Sequence, residues 1–213
     1  MNLVKPFGPS IGVTSLSEEL TAQLLEACVE AQDDLSRRMN KSLVGLIDKE
    51  FSIQDKIKNT VLPVIQSEVT AYLANSESTY RNLGPFNKLD LTCVSSWCNI
   101  QEAGEHNPLH NHALDDIVCV IFPKIDVDTS YKKYNTSNNM LPGSLVFHCH
   151  GDARFGTNGY VVTPKTGDMY IFPASLYHYT MPFYKQGDTR ISVSCNFAFT
   201  DLFYSLRRLG SHQ

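Results

Sequence analysis

The feature that most constrains the fold is a long series of short strand-like segments, which begins near Lys88 and ends at Phe199. No helical pattern interrupts this series, and turn segments containing glycine or proline separate several of its members. Such spacing is typical of an all-β sandwich or barrel, whereas the strands of a parallel sheet alternate with helices. The predicted strands are 89–100, 117–122, 143–150, 159–163, 168–172, 177–183 and 189–199. We therefore predict a mainly β (α+β) protein whose core is a double-stranded β-helix, the cupin-like jelly roll.

The N-terminal part of the chain carries helical patterns instead. Ser15 or Ser17 can cap a helix, because two glutamates and an apolar series at helical spacing follow. A second helical pattern runs from Gln54 to Leu73, and residues 34–53 between the two fit no single pattern. We expect both helices to pack on one face of the β core and to carry no chemistry.

A chain of 213 residues is long enough for one domain with a substantial buried core. We expect that single domain to consist of three parts. Residues 1–85 form an extended N-terminus with supporting helices, residues 86–200 form the jelly-roll core, and residues 201–213 form a C-terminal tail.

The amino-acid composition of the chain indicates which classes of binding partner to expect. The net charge is −4 and no dense run of lysine or arginine occurs, which disfavours nucleic-acid binding. A small molecule or a peptide is the expected substrate. The six cysteines are scattered without a C-x-x-C pair, which predicts reduced thiols in a cytoplasmic protein. No apolar run has transmembrane length, so no membrane partner is expected, and the sequence leaves open whether the chain forms a homo-oligomer.

The strongest chemical signal is the histidine-rich segment GEHNPLHNHALDDIVCVIFP, which spans residues 104–123. His110 and His112 form a His-x-His pair directly before a buried apolar strand. On extended backbone their rings project to the same side, because side chains alternate with period two. The pair can therefore face one metal ion, and His178, at the start of a later strand, is the candidate for a third ligand. His106 is interpreted as a solvated loop residue.

Arg190 and Ser192 share one face of the last predicted strand, so both side chains can point into the core. An arginine that faces into a barrel requires an anion, and its fork of donors can clamp a carboxylate. The alternative interpretation is a structural ion pair between Arg190 and a carboxylate at the edge of the core.

These residues together resemble the Fe(II)/2-oxoglutarate-dependent oxygenases. The resemblance covers about residues 94–199 and rests on SWCNI, HNPLHNH, TGDMYIFPASLYHYTMPF and the Arg-x-Ser of TRISVSCNF. It is strongest with the group of 2-oxoglutarate oxygenases found in bacteria and marine phages, which is related to the prolyl hydroxylases. The resemblance implies Fe(II) and 2-oxoglutarate as cofactors, and Arg190 with Ser192 as the site of the distal carboxylate. It also implies conversion of 2-oxoglutarate to succinate and CO2, coupled to hydroxylation of a C–H bond on a substrate such as a prolyl residue or a small metabolite.

One position departs from the usual pattern of this superfamily, which is His-x-Asp/Glu followed by a distant histidine. Here His112 stands where the carboxylate is expected. Three possibilities stay open: a site made of His110, His112 and His178, a substitution of His112 by Asp115 or Asp116, or two histidines with solvent or chloride completing the shell.

Other polar residues are weaker candidates. Asn99 and Asn196 lie within strand patterns and are predicted either to bond the metal end of the co-substrate or to satisfy backbone groups. Asp152 and Arg154 are predicted to line the substrate mouth. His148 and His150 form a second His-x-His pair, which we interpret as lying on a neighbouring strand.

Two further functional hypotheses follow from the same residues. A cupin-like three-histidine metal enzyme would use the metal without 2-oxoglutarate, and the missing carboxylate favours it. A non-enzymatic jelly-roll binding protein would bind no iron at all.

Overall fold

The computed structural model describes residues 1–4, 9–76, 91–112, 114–131, 133, 140–149 and 158–199. The strands are β1 Asn2–Val4, β2 Ile11–Ser15, β3 Lys49–Ser52, β4 Leu91–Gln101, β5 Ile117–Asp126, β6 Leu145–His148, β7 Gly159–Val162, β8 Asp168–Pro173, β9 Tyr177–Thr180 and β10 Thr189–Phe199. The α-helices are α1 Glu18–Gln32, α2 Gln54–Ile57 and α3 Leu62–Asn75, and a 3-10 turn covers Leu35–Arg37. The predicted C-terminal tail lies outside the described residues.

Two antiparallel sheets form the jelly roll that the sequence predicts. The larger sheet has seven strands in the order β1-β2-β8-β5-β10-β4-β3, and the smaller has the order β7-β6-β9. An apolar cluster joins their facing surfaces, with Val118 and Phe122 of β5 and Phe172 of β8 packed against Leu145 and Phe147 of β6. Strands that are far apart in sequence therefore meet around one interior.

Side chains along β10 point alternately into the apolar core and into a cavity. Ile191, Val193 and Cys195 belong to the apolar cluster beneath the helices. The alternate positions of β10, Arg190, Ser192, Ser194 and Asn196, line a cavity on the opposite face of the sheet. The predicted inward orientation of Arg190 and Ser192 follows from this two-residue period.

The helices pack on the outer face of the larger sheet. Ser17 caps α1, since its hydroxyl accepts a hydrogen bond from the Leu20 backbone N–H at 3.3 Å. Leu24 of α1 and Ile65 and Val69 of α3 are fully buried in the cluster that also contains the outward residues of β10. Removing this apolar surface from water stabilises the fold by roughly 25 cal/mol per Å².

The single helical pattern predicted for residues 54–73 is interrupted in the structure. It forms α2, Gln54–Ile57, and then α3, which begins at Leu62. Pro63 lies in the first turn of α3, where its missing N–H leaves no helical hydrogen bond unmade. A proline is favoured at the start of a helix and disfavoured in its interior, which explains the break.

Three strands from the N-terminal part of the chain join the larger sheet. β1 and β2 extend it beyond β8, and β3 pairs with the outer edge of β4. β3 arises from the segment 34–53, for which the sequence predicted no single structure.

All six cysteines are free thiols. Across the part of the chain that the structure describes, no helix is long and apolar enough to cross a membrane.

Candidate active site

A cavity of about 440 Å³ opens between the inward faces of the two sheets. This volume lies in the range of small-molecule sites. One wall carries the inward residues of β4 and β10, and a second carries His110, His112 and His178. The segment before β3, including Val44 and Gly45, closes part of the opening.

The three predicted metal-ligand histidines lie together at this cavity. Each offers a ring nitrogen, and these three atoms lie within 4.8 Å of one another. The ring centroids of His110 and His178 are 4.3 Å apart, and His112 is 5.2 Å from each. This group could bind a metal ion.

Backbone hydrogen bonds bring these distant segments together. The His110 N–H donates to the His178 carbonyl at 3.0 Å, and the His178 N–H donates back to the His110 carbonyl at 2.9 Å. The His112 N–H donates to the Ala174 carbonyl at 2.9 Å. The loop before β5 is thus fastened to β9 and to the turn after β8, which fixes the positions of the rings.

The tautomers of two rings are set by backbone carbonyls. Nδ1 of His110 lies 2.7 Å from the Pro108 carbonyl oxygen, and Nδ1 of His178 lies 3.0 Å from that of Leu176. A carbonyl only accepts, so Nδ1 carries the proton in both rings and Nε2 keeps its lone pair. Metal-binding histidines in proteins commonly use this arrangement.

Burial keeps the three imidazoles neutral. It lowers the pKa of His112 to about 4, and the nearby His110 ring acts in the same direction. Burial also lowers the pKa of His110, and it holds the pKa of His178 well below its usual range. Neutral imidazole is the form that binds metals, so the three lone pairs are available at neutral pH.

His112 is enclosed by two neighbours. Its ring stacks on Trp97, with centroids 5.9 Å apart, and on His178. The neighbouring Asn196 side chain acts to raise the His112 pKa, against the larger effect of burial. The Asn196 amide in turn donates to Asp115 Oδ2 at 2.6 Å. Asp115 lines the cavity but is not part of the three-histidine group.

Arg190 is a buried cation without an ion-pair partner among the described residues. Arg190 is only 1% exposed. Its guanidinium donates hydrogen bonds to the Gly143 carbonyl at 2.7 Å and to Gln101 Oε1 at 2.6 Å. Both acceptors are neutral, and the Nε–H has no partner within the part of the chain that the structure describes. Burial lowers the pKa of Arg190 to about 10, which still leaves it charged at neutral pH. A buried, uncompensated cation favours the binding of an anion.

Asn99 and Ser192 lie beside Arg190 on the same wall. The Asn99 amide donates to the Ser192 hydroxyl at 3.4 Å, while Asn99 Oδ1 has no partner. One of the two roles predicted for Asn99 and Asn196 was to hydrogen-bond backbone groups. Among the described residues, neither side chain makes such a bond. Both side chains instead face the cavity.

Glu50 also lines the cavity, and sequence reasoning missed it. It lies on β3 opposite Asn99 of β4 and is 1% exposed. Burial and the nearby Glu105 raise its pKa to about 7. A single glutamate in a segment without a clear pattern carries no signal in the sequence, because only the pairing of β3 with β4 turns it inward.

Buried polar atoms without partners concentrate in this cavity. The described residues contain seven such side-chain atoms, and four of them belong to cavity-lining residues: Glu50, Asn99, Arg190 and Asn196. Most buried polar groups in proteins have a partner, so a cluster of unpartnered ones marks a place prepared for a ligand.

The remaining predicted residues lie elsewhere. Asp152, Arg154 and His150 fall outside the described residues, so their predicted roles stay predictions. His148 ends β6 and does not line the cavity. His106 does not join the three-histidine group, and its backbone carbonyl accepts a hydrogen bond from the Leu46 N–H.

Comparison with known proteins identifies the family. Residues 95–196 match the sequence model of a family described as "Putative 2OG-Fe(II) oxygenase". This match supports the Fe(II)/2-oxoglutarate oxygenase superfamily for the part of the chain that it covers. The match runs from within β4 to within β10 and includes every residue that was predicted to hold the metal or the co-substrate. No curated protein sequence matches the chain.

Several solved structures share the fold of this chain. A prolyl-4-hydroxylase from Pseudomonas putida aligns with a TM-score of 0.55 at 14% identity, covering 88% of this chain and 91% of the other. A prolyl hydroxylase from Trichoplax adhaerens, in complex with a hypoxia inducible factor peptide fragment, has a TM-score of 0.59 at 10% identity, with coverage of 95% and 87%. The α-ketoglutarate-dependent epimerase SnoN from nogalamycin biosynthesis has a TM-score of 0.59 at 12% identity, with coverage of 91% and 78%.

The cofactors of this superfamily, Fe(II) and 2-oxoglutarate, fit the residues present. Three imidazoles with free lone pairs form a donor set suited to iron. The unpaired guanidinium of Arg190 and the unpartnered Asn99 Oδ1 border the same cavity, so a dicarboxylate has a cationic partner inside the protein.

Proposed function

We propose that this oxygenase is an Fe(II)/2-oxoglutarate-dependent dioxygenase that hydroxylates a C–H bond of a small molecule or a peptide. His110, His112 and His178 would hold the iron, and Arg190 with Ser192 would hold the distal carboxylate of 2-oxoglutarate. The observation that carries the proposal is the buried guanidinium of Arg190, which faces the same cavity as the histidine group and has no carboxylate partner among the described residues.

When bound, iron and 2-oxoglutarate would supply the oxidising chemistry, with O2 consumed and the keto acid converted to succinate and CO2. The role of the protein is to bind and to orient. Arg190 neutralises a carboxylate in a region of low dielectric, where an ion pair is stronger than in water. The Ser192 hydroxyl accepts from the Asn99 amide and can at the same time donate its own proton to the same carboxylate. Val120, Phe122 and Leu145 give the cavity an apolar surface beside these polar groups.

The histidine in place of a carboxylate changes the charge of the site. Three neutral imidazoles leave the full charge of a divalent ion uncompensated, whereas a carboxylate ligand would cancel half of it. Asp115, fixed by Asn196, provides a negative charge on the same side of the cavity without belonging to the histidine group. An anionic co-substrate is therefore favoured by the ligand set as well as by Arg190.

A three-histidine metal enzyme without 2-oxoglutarate is the second candidate, because His112 occupies the usual carboxylate position. Arg190 argues against it, since such an enzyme has no need for a buried cation in the cavity. The Trichoplax relative binds a peptide, which supports peptides as candidate substrates here. SnoN is an epimerase, which indicates that the same fold supports a different outcome, so hydroxylation is the part of the proposal that depends on the substrate.

Discrimination between keto acids tests the proposal. Titration calorimetry under anaerobic conditions compares 2-oxoglutarate with pyruvate, which keeps the keto acid but lacks the distal carboxylate. We expect 2-oxoglutarate to bind the Fe(II)-loaded protein at least about a hundredfold more tightly, because only it pairs with the buried guanidinium. Equal affinities, or iron binding with no affinity for either keto acid, would contradict the proposal and favour the second candidate.

A further inference from the structure

Glu50 carries a carboxylate oxygen for which the described residues provide no hydrogen-bond partner. Oε2 accepts a hydrogen bond from the Asn40 amide at 3.3 Å, but the buried Oε1 has none. The side chain is 1% exposed and borders the cavity. A buried carboxylate oxygen in this state calls for a donor from a ligand, because leaving it unpaired is unfavourable.

The surroundings of Glu50 are negative. Within the described segments no lysine or arginine forms an ion pair with Glu50, and the carboxylate of Glu105 acts on it electrostatically. Burial and this second carboxylate raise the pKa of Glu50 to about 7. A ligand cation would relieve both effects, since it would pair with the carboxylate and compensate for the lost hydration.

Glu50 and Arg190 lie on different strands of the cavity wall. β3 pairs Glu50 with Asn99, and β4 pairs Asn99 with Ser192, so two strand spacings separate Glu50 from Ser192. Arg190 is two residues further along β10. These steps place the Cα atoms of Glu50 and Arg190 about 12 Å apart. The cavity therefore has a cationic pole for the co-substrate and a separate anionic pole.

Gly45 lies against Glu50, and exposed aliphatic side chains line the same cavity. Val44 and Leu114 line the cavity and are 53% and 69% exposed. A Cβ atom built on Gly45 would lie 2.3 Å from Glu50 Oε1 and 2.7 Å from Asn107 Oδ1, so the backbone of residue 45 comes directly against two oxygen acceptors. A ligand entering here meets aliphatic surface first and hydrogen-bond acceptors behind it.

We propose that Glu50 is the substrate-recognition residue of this site and binds an organic cation, an amine or a guanidine at the end of an aliphatic chain. The carboxylate supplies the charge, Asn107 is placed to accept a further hydrogen bond, and Val44 and Leu114 contact the aliphatic part. The identification of this ligand as the substrate rests on the proposed function, whereas the binding of an organic cation at Glu50 does not depend on it.

Matched probe pairs test this inference. Arginine is compared with citrulline, and lysine with norleucine, because the members of each pair are similar in shape and differ in side-chain charge. Trp97 is the only tryptophan and lines the cavity, so its fluorescence reports binding without any turnover. We expect the cationic member of at least one pair to bind about tenfold or more tightly than its neutral partner, with and without Fe(II) and 2-oxoglutarate.

Two variants assign the effect to Glu50. Glu50→Gln keeps the shape and removes the charge, and is expected to abolish the preference for the cation. Gly45→Ala keeps the charge but places a methyl group against Oε1. It is expected to weaken binding of the cationic probe about as much as Glu50→Gln does. Glu102→Gln is the control, because it removes a carboxylate that pairs with Lys49 on the surface outside the cavity. Melting curves verify that each variant is folded.

The inference is overturned if the wild-type protein binds neither cation more tightly than its neutral partner, or if the preference survives in Glu50→Gln. Calorimetric binding of 2-oxoglutarate to the Fe(II)-loaded protein, measured on the same samples, separates the two proposals. Loss of the charge preference with intact 2-oxoglutarate binding rejects only the role of Glu50. A charge preference in a protein that binds no 2-oxoglutarate rejects the proposed function and leaves an organic-cation site.

Discussion

Replacing Arg190 by methionine is expected to lower the affinity for 2-oxoglutarate by at least about a hundredfold, because the buried pair of charges loses its protein partner. Iron binding should be unchanged, since the histidines are held by β9 and by the loop before β5 and not by Arg190. Calorimetry measures both affinities. A saturating ligand at about 100 times its dissociation constant adds roughly 2.7 kcal/mol of stability, and this gain should vanish in the variant.

The fold of the Arg190→Met variant is a separate matter from its affinity. Methionine fills similar space but leaves the Gly143 carbonyl and Gln101 Oε1 without their donor, so the melting temperature of the ligand-free protein is recorded alongside. Arg37→Met is the matched control, because Arg37 pairs with Asp55 outside the cavity. If the Arg190 variant still gains stability from 2-oxoglutarate, the guanidinium has only a structural role.

Replacing His178 by alanine is expected to reduce the affinity for Fe(II) by more than about a hundredfold, since even the loss of a second-shell partner of a metal ligand costs 10–100-fold. His178 is the most buried of the three rings, and its Nδ1–H is fixed by the Leu176 carbonyl. Inductively coupled plasma analysis after anaerobic loading gives the iron content, and competition with a chelator gives the affinity.

His148→Ala provides the control for this experiment. His148 ends β6 in register with Tyr177 of β9, one residue from His178, but it does not line the cavity. Its replacement should leave the iron content unchanged. Loss of iron in the His148 variant, or full iron retention in the His178 variant, would mean that the histidine group is not the metal site.

The jelly roll was predictable because its signals are local. Strand β10 has the bounds that the sequence predicted, and its two-residue alternation correctly placed Arg190 and Ser192 on the inward face. The spacing of His110 and His112 likewise determines that both rings can face the same region. In each case neighbours in the sequence carry the information, so a pattern of residue types is sufficient.

The anionic end of the cavity was not predictable because its signals are long-range. β3 is four residues long and includes Lys49, Glu50 and Ser52, so it has no apolar pattern of its own. Its register with β4, which turns Glu50 inward, exists only in the assembled sheet. The break between α2 and α3 was missed for a different reason, since the apolar spacing continues across it and only Pro63 indicates a new helix.

The central claim is that iron and 2-oxoglutarate bind side by side in this cavity, and anaerobic absorption spectroscopy tests it most directly. Fe(II) is added to the protein first, and 2-oxoglutarate second. A weak visible charge-transfer band, produced by a keto acid chelated to Fe(II), should appear only after the second addition and should saturate at one equivalent. Iron binding without the band, or no iron binding at all, would contradict the claim.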